Sequence, residues 1–289
     1  MNIAIIGPGR MGLALGAALK HADAVERLVY YGRAMEAPPH PLFDGPDAAE
    51  YFVGPHPLPP GTNIVLLAVP DSALPEVTYD LASHGPPPPG CVALHLAGAI
   101  STEVLAPLHA QGYGVGSMHP LQAIADPWHS GDRLIGAAYA LAGEPAAVAV
   151  ARRLVVALRG LPLVIAPNKR PVYHAAAVVA SNYLVALLAF AVRLMMEAGV
   201  SEQEAVAALL PLIHGTLDNL EHLGVGASVT GPIARGDTDT IRLHLARLSD
   251  SDRALYCRLG LELLNVARGA GLDAARAAEV AALLIAQSD

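Results

Sequence analysis

Apolar residues fall along this chain in two rhythms. In the first half they form short runs rich in Val, Ile and Leu, broken by Gly and Pro. Residues 3–6, 27–31, 63–69, 91–96 and 113–118 each read as a buried strand, with a shorter strand near 51–53. The segments between them repeat apolar positions at helical spacing: one helix opens at Met11, one runs from a cap at Ser72 to about residue 83, and one covers about 101–110. Residues 137–141 and 161–165 read as edge strands flanking a helix over 145–158. From residue 171 onward no strand signal recurs. A long helix covers 171–198, and the capping box Ser201 to Glu204 opens a second that ends near residue 214. A short helix at 217–223 and a glycine-rich loop at 224–231 precede helices over 239–248, 251–269 and 273–287. The pattern predicts an α/β domain with a parallel, doubly wound sheet over residues 1–168, then an all-helical domain over 169–289.

The first strand feeds Gly7-Pro8-Gly9-Arg10-Met11-Gly12, a G-x-G-x-x-G that opens a helix. Strand, tight glycine turn and helix N-terminus is the order a dinucleotide site requires: Gly7 turns the chain, Gly9 admits the diphosphate, Gly12 lets helix and strand pack. Free N–H groups at the helix start, from Arg10 and Met11 onward, would face the anion. The second strand ends at Gly32-Arg33, with no Asp or Glu between Leu28 and Ala34. A carboxylate there would bond the ribose hydroxyl of NAD, whereas a guanidinium matches the 2′-phosphate of NADP. NADP is therefore the expected cofactor, with Val69 and Pro70 bordering it at the end of the next strand.

Composition narrows the partners. Net charge is −8, the wrong sign for a nucleic-acid binder. Hydrophobic residues make up 53% and charged residues 15%, as in a compact globular chain. The two cysteines, Cys91 and Cys257, form no motif, which fits a reducing, cytoplasmic setting, and no secretory signal opens the sequence. Residues 172–192 carry no Asp, Glu, Lys or Arg, yet hold Tyr173, His174, Ser181, Asn182 and Tyr183. That mixture reads as a helix buried at the heart of a soluble domain, with Tyr173 and Tyr183 in the core, and not as a membrane span.

Three polar clusters stand out. The first is Ser117-Met118-His119-Pro120-Leu121-Gln122 at a strand's carboxyl end, the edge where such sheets bind ligands. His119 there is a candidate to move a proton or orient a substrate, and Gln122 to bind it. His40, His56, His84, His109 and His129 sit in loop-like or exposed contexts without such a position. The second is Lys169-Arg170-Pro171-Val172-Tyr173-His174, leading to Ser181 and Asn182. His174 and Ser181 lie nearly on one helix face, with Asn182 beside them. These polar groups either bond neighbouring helices or line a substrate pocket. Lys169 is a proton donor, a carboxylate anchor or an exposed loop cation. The third runs from Thr230 through Arg235 and Asp237 to Thr240; Arg235 is a candidate for an anionic substrate, and Asp237 caps a helix. No metal-ligand spacing, G-x-S-x-G or P-loop lysine motif occurs.

His119-Pro120-Leu121-Gln122, Tyr173-His174-Ala175-Ala176-Ala177 with Ala180-Ser181-Asn182-Tyr183, and Gly231-Pro232-Ile233-Ala234-Arg235-Gly236-Asp237 resemble Rossmann-like proteins with a DUF2520 C-terminal domain. They lie within the 6-phosphogluconate dehydrogenase C-terminal-like superfamily, beside pyrroline-5-carboxylate reductases, ketopantoate reductases and β-hydroxyacid dehydrogenases. The resemblance spans essentially the whole chain. It implies an NADP-binding reductase fold and a homodimer built through the helical domains, and it supplies no substrate. β-Hydroxyacid dehydrogenases carry a lysine and an asparagine four residues apart inside the long helix. Here Lys169 precedes the helix, and the pair singled out is His174 with Asn182. The expected activity is hydride transfer between NADP and a small carbonyl, imine or hydroxy acid held between the domains. The alternatives are a non-catalytic NADP sensor and a Rossmann descendant that binds no nucleotide.

Overall fold

The structure, a computed structural model, describes residues 1–54, 56–128 and 131–287; His129 lies outside them. The chain folds into two compact units, Met1–Val185 and Ala186–Asp289.

The first unit is built on one sheet. Its strands are β1 (Asn2–Ile6), β2 (Arg27–Gly32), β3 (Glu50–Val53), β4 (Ile64–Leu67), β5 (Val92–His95), β6 (Gly114–Pro120), β7 (Ala138–Gly143) and β8 (Leu161–Val164), in the order β3-β2-β1-β4-β5-β6-β7-β8. Strand order reverses between β1 and β4, which makes that junction the switch point of a doubly wound fold. The helices are α1 (Arg10–His21), α2 (Leu74–Ser83), α3 (Ala106–Ala110) and α4 (Pro145–Ala157). β1 explains why two covers are needed. Ile3 and Ile5 pack with Leu13, Leu15 and Leu19 of α1 and Leu154 and Val155 of α4, whereas Ala4 packs with Leu74 and Leu81 of α2 and Leu108 of α3. Side chains alternate across a strand, so a strand covered on both faces is apolar throughout. Tyr30 crosses this core and donates its buried hydroxyl to the Gly12 carbonyl at 2.9 Å, tying β2 to the glycine loop.

Four local expectations change. β7 runs antiparallel to β6 and lies inside the sheet, so β8 and β3 are the edges. A parallel return needs a crossover packed on the sheet face; among the described residues the link from β6 to β7 contributes only the 3-10 turn Gly131–Leu134. Ser72 does not cap α2: it sits in the 3-10 turn Asp71–Ala73, and α2 begins without a side-chain cap at a turn holding Pro75. Proline there removes one of the N–H groups a cap would serve. The helix expected over 101–110 divides into a 3-10 turn, Thr102–Leu105, capped by Ser101, and α3 with Pro107 in its first turn.

The fourth change lies in the helices that follow, which are α5 (Arg170–Glu197), α6 (Glu202–Ala227), α7 (Gly231–Arg235), α8 (Thr238–Leu245), α9 (Asp250–Gly269) and α10 (Ala274–Ile285). α6 runs through the expected break near residue 214 and absorbs the short helix, then kinks at Gly224 (φ +76°, ψ 171°), where the glycine-rich loop was expected to begin. Gly215 inside the helix costs about 1 kcal/mol, which is less than stranding the carbonyls of a new helix end there. The capping box at Ser201 and Glu204 forms, and Asp237 and Asp273 cap α8 and α10. Ile233, Ile241, Leu245, Cys257, Leu264, Val280 and Leu284 make the second unit's core. Arg193 pairs with Asp252, whose carboxylate also accepts from Ser249 Oγ.

α5 begins in the first unit and ends in the second. The helical stretch Pro167–Glu197 is long and apolar enough to cross a membrane. It is not the buried helix expected: Val172, Val179, Tyr183 and Val185 are exposed, so Tyr183 is no core residue. Apolar residues are spread around this helix and not confined to one face, and several of them are uncovered in the single chain.

Candidate functional site

At the carboxyl ends of β1, β2 and β4 lies a cleft of roughly 530 Å³, bordered by Gly7, Gly9, Gly32, Arg33, Val69 and Pro70. Its three loop glycines are there for different reasons. Gly7 has φ +102°, and a Cβ on it would lie 2.6 Å from the Ala68 carbonyl; a Cβ on Gly12 would lie 2.2 Å from the Gly7 carbonyl. Both are required by the fold itself. Gly9 is extended, with φ −82° and ψ −176°, and a Cβ there would meet nothing within 4 Å. Nothing in the protein demands glycine at position 9. What it leaves is open space over the start of α1, where no side chain caps the helix. Uncapped N–H groups under open space fit the diphosphate of a dinucleotide. Arg10 is exposed and Met11 half-buried in that first turn.

Arg33 is exposed on the cleft wall and makes no ion pair among the described residues. Arg27, on the same strand, is occupied by both Glu50 oxygens, at 2.6 and 2.9 Å. The guanidinium left free is the one at the strand's ligand end. Gly32 has a structural duty, since its absent side chain makes room for Tyr51, which donates to the Ala34 carbonyl at 2.9 Å and so shapes the Arg33 turn. His56, Glu76, Asp80 and His84 complete the walls; no periodic signal marked the two histidines.

On the other side of the switch point, a second cluster forms at the ends of β5 and β6. Its organiser is Arg170, the first residue of α5 and only 1% exposed. Nε donates to the Ile100 carbonyl at 3.0 Å, Nη1 to Ser117 Oγ at 2.8 Å, and Nη2 to the Ala97 carbonyl at 2.5 Å. These bonds fasten the first turn of α5 to the strand ends. Tyr173 and His174, three and four residues on, therefore arrive beside His119. Tyr173 Oη lies 2.8 Å from His119 Nδ1, and the His174 ring centroid lies 5.5 Å from that of His119. Tyr173 is thus half-buried and hydrogen-bonded to a histidine, not packed in a core. A Cβ on Gly98 would fall 2.1 Å from His174 Nδ1 and 3.0 Å from His119 Nε2, so the two imidazoles converge where only glycine fits.

Burial pushes His119 down to about 4, helped by the facing charges of His174 and Arg170. His95, fully buried at the end of β5, is pushed down to about 3 by burial, then by Arg170 and His119. Both are neutral imidazoles at neutral pH. Burial also raises Tyr173, against the pull of Arg170. Among the described residues neither ring nitrogen of His95 has a partner, nor does His174 Nδ1.

The remaining candidates lie elsewhere. Lys169 is exposed at the end of a 3-10 turn, and Ser181 and Asn182 are exposed further along α5 without hydrogen bonds among the described residues. Asn182 stands about 12 Å along the helix axis from His174. The exposed Gln122 accepts from the neighbouring Ala123 N–H. Arg235, in the second unit, is exposed with its guanidinium 4.0 Å from Asp237. The residues of this corner given no site role from sequence are Arg170, Tyr173 and His95. For the first two a signal existed: Arg170, Tyr173 and His174 stand at i, i+3 and i+4, one face of one turn.

Two family models match the chain, a Rossmann-like domain over residues 1–120 and a domain of unknown function, DUF2520, over 137–263. No curated protein matches it in sequence. Among solved structures the chain is similar to a Thermotoga maritima protein at 22% identity and TM-score 0.71, covering 92% of this chain and 98% of that one. A candidate NADP oxidoreductase from Bacteroides fragilis follows at 20% identity and TM-score 0.66, covering 93% and 97%. Plasmodium falciparum pyrroline carboxylate reductase with NADP bound is similar at 12% identity and TM-score 0.62, covering 98% of each chain. At these identities the likeness is one of fold.

His95 carries a testable cost. Its folded pKa is depressed, so between pH 6.5 and about 3 the unfolded chain binds a proton that the folded chain refuses. Stability is full above that window and falls as pH drops through it, by roughly 2 kcal/mol at pH 5 from this residue. Denaturant unfolding of His95→Leu at pH 7 and pH 5 is expected to show that much less acid sensitivity than the unsubstituted chain; equal sensitivity contradicts the assignment.

Proposed function

We propose, for a chain that belongs to the Rossmann-like proteins with a DUF2520 domain, an NADP-dependent oxidoreductase acting on a small carbonyl, imine or hydroxy acid. The observation that carries this reading is Gly9: a glycine the fold does not need, over an uncapped helix start, in a cleft whose free cation is Arg33. Gly7, Gly9, Arg10, Met11 and Gly12 would hold the diphosphate, Gly32 and Arg33 the phosphorylated ribose, and Val69 and Pro70 would border the nicotinamide. The NADP named for the Plasmodium falciparum structure supports the same cofactor here. When bound, the nicotinamide supplies or accepts hydride.

This chain's own part is to place polar hydrogens where the substrate reacts. A dinucleotide lies across the switch point of a doubly wound sheet, one half on each side. Arg33 stands on the β2 side and His119 on the β6 side, so the two ends of the cofactor would meet the two clusters described. His119, neutral and hydrogen-bonded through Nδ1, keeps Nε2 for a substrate oxygen or nitrogen; His174 closes the same corner at Gly98. A neutral donor polarises a carbonyl or imine without adding a second cation beside Arg170.

The same reading extends to assembly and compartment. We assign a homodimer through the helical part of the chain, because α5 and α6 leave Val172, Val179, Val185, Leu212, Leu223 and Val225 exposed. The buried free cysteines Cys91 and Cys257 support a reducing cytoplasm. Light scattering on the detergent-free protein is expected to give twice the chain mass; a detergent-free monomer, or protein found only in the membrane fraction, contradicts this assignment.

Cofactor binding is tested by thermal protection. At a hundredfold excess over its Kd, NADPH is expected to add about 2.7 kcal/mol of stability. Gly9→Ala should unfold like the unsubstituted chain without cofactor, since its Cβ meets nothing, and lose that protection. Arg33→Ser should weaken NADPH about 10- to 100-fold and leave NADH unchanged. Full NADPH protection in both variants would falsify the proposed site.

A further inference from the structure

Neutral His119 poses a chemical difficulty for the function just proposed. A reduction that adds hydride to a carbonyl or imine carbon must also add a proton to its oxygen or nitrogen. Of the histidines gathered there, His119 is the one with a hydrogen bond on Nδ1, which leaves Nε2 to face a substrate, but held down to about 4 it stores no imidazolium near neutral pH. A neutral imidazole that gives up its only N–H becomes an imidazolide, far too basic to form in water, unless its other nitrogen gains a proton in the same event. The group bonded to that other nitrogen is the Tyr173 hydroxyl, 2.8 Å from Nδ1, with the rings edge to face at 5.7 Å between centroids.

We propose that Tyr173 and His119 form a proton relay, in which Tyr173 Oη protonates His119 Nδ1 as His119 Nε2 protonates the substrate. The inference rests on the NADP-reductase reading. The His119 Nε2–H bond breaks and an O–H or N–H bond forms on the substrate. The Tyr173 O–H bond breaks and an Nδ1–H bond forms, so His119 ends neutral, as its other tautomer. The reduced nicotinamide named above supplies the electron pair with its hydride, and the negative charge left on the protein rests on Tyr173 until water returns the proton.

The surroundings of the pair fit these demands. Tyr173 lies one helical turn after Arg170; burial raises its hydroxyl above the ordinary range, and the buried guanidinium pulls the other way, towards the tyrosinate. Among the interactions shown for the described residues, the ionisable groups facing His119 are Tyr173, His174 and Arg170 from α5 and His95 from β5, and none of these is a carboxylate. Asp71 acts on Arg170, not on His119. An acid facing His119 would have stored a proton on the imidazole and made the tyrosine redundant. Gly98 keeps the Nε2 side free of any side chain of its own.

The relay requires a definite resting state, which can be read without turnover. Imidazole ¹⁵N spectra of the full-length protein at pH 7, with the His119 signals identified by their loss in His119→Gln, are expected to show the proton on Nε2 and Nδ1 as acceptor. Replacing Tyr173 by phenylalanine and by 3,5-difluorotyrosine should move the Nδ1 signal in opposite directions, since the fluorinated phenol is the stronger donor. A tyrosine that packs against the ring without donating to Nδ1 would give no dependence on phenol acidity. A proton found on Nδ1, or an Nδ1 signal insensitive to the acidity at position 173, overturns the relay. NADPH protection measured on the same samples separates the two readings. Protection with the wrong tautomer leaves the cofactor site standing and removes the relay, while absence of protection in the unsubstituted chain removes both.

Discussion

One buried guanidinium sets the geometry on which the proposed catalytic half of the site depends. Arg170 is a cation at a helix N-terminus, where the helix dipole disfavours it, and it is out of water with no carboxylate bonded to it among the described residues. Each of these costs stability. It is tolerated because two carbonyls and a hydroxyl accept from it, and those acceptors belong to the ends of β5 and β6 and the loop between them. The result is a helix whose first turn has one permitted position on the sheet. Tyr173, His174 and His119 meet because Arg170 is held there. The same charge helps keep His95 and His119 neutral, so the clamp also decides which proton chemistry the corner can perform.

Across the switch point the opposite design rule holds. The glycine loop is open where the strand ends are crowded, and its chemistry is that of unoccupied N–H groups. Gly7 and Gly12 answer to the protein's own backbone, whereas Gly9 answers to nothing in the chain. That contrast is what the proposed nucleotide cradle rests on. Arg33 adds a cation without an ion pair among the described residues, six residues beyond an Arg27 that Glu50 has already claimed.

Much of this was legible in the sequence because the relevant physics is local. Strands covered on both faces advertise themselves as unbroken apolar runs, as at 3–6 and 63–69, and the capping residues Ser201, Asp237 and Asp273 act within a single turn. The glycine loop and Arg33 are legible for the same reason. What was hidden depended on contacts distant in sequence. β7 runs antiparallel because of what its connection lacks, and Gly98 is needed only because α5 brings His174 against it from 76 residues away. Lys169 and Arg170 are adjacent cations of equal standing on paper. Helix phase makes one of them a clamp and leaves the other in solvent. Tyr173 looked like core for the reason that most tyrosines in apolar helices are core; its hydroxyl partner lies 54 residues away.

The central claim is that a dinucleotide on the Gly7–Gly12 loop presents its reactive ring to the corner that Arg170 assembles. A crystal structure of the NADPH complex tests it most directly. The account predicts the diphosphate over Gly9, the 2′-phosphate on Arg33, and the nicotinamide facing Gly98 and His119 with the bond from Tyr173 intact. A nicotinamide turned away from that corner, or crystals that take up no NADPH at saturating concentration, would contradict it.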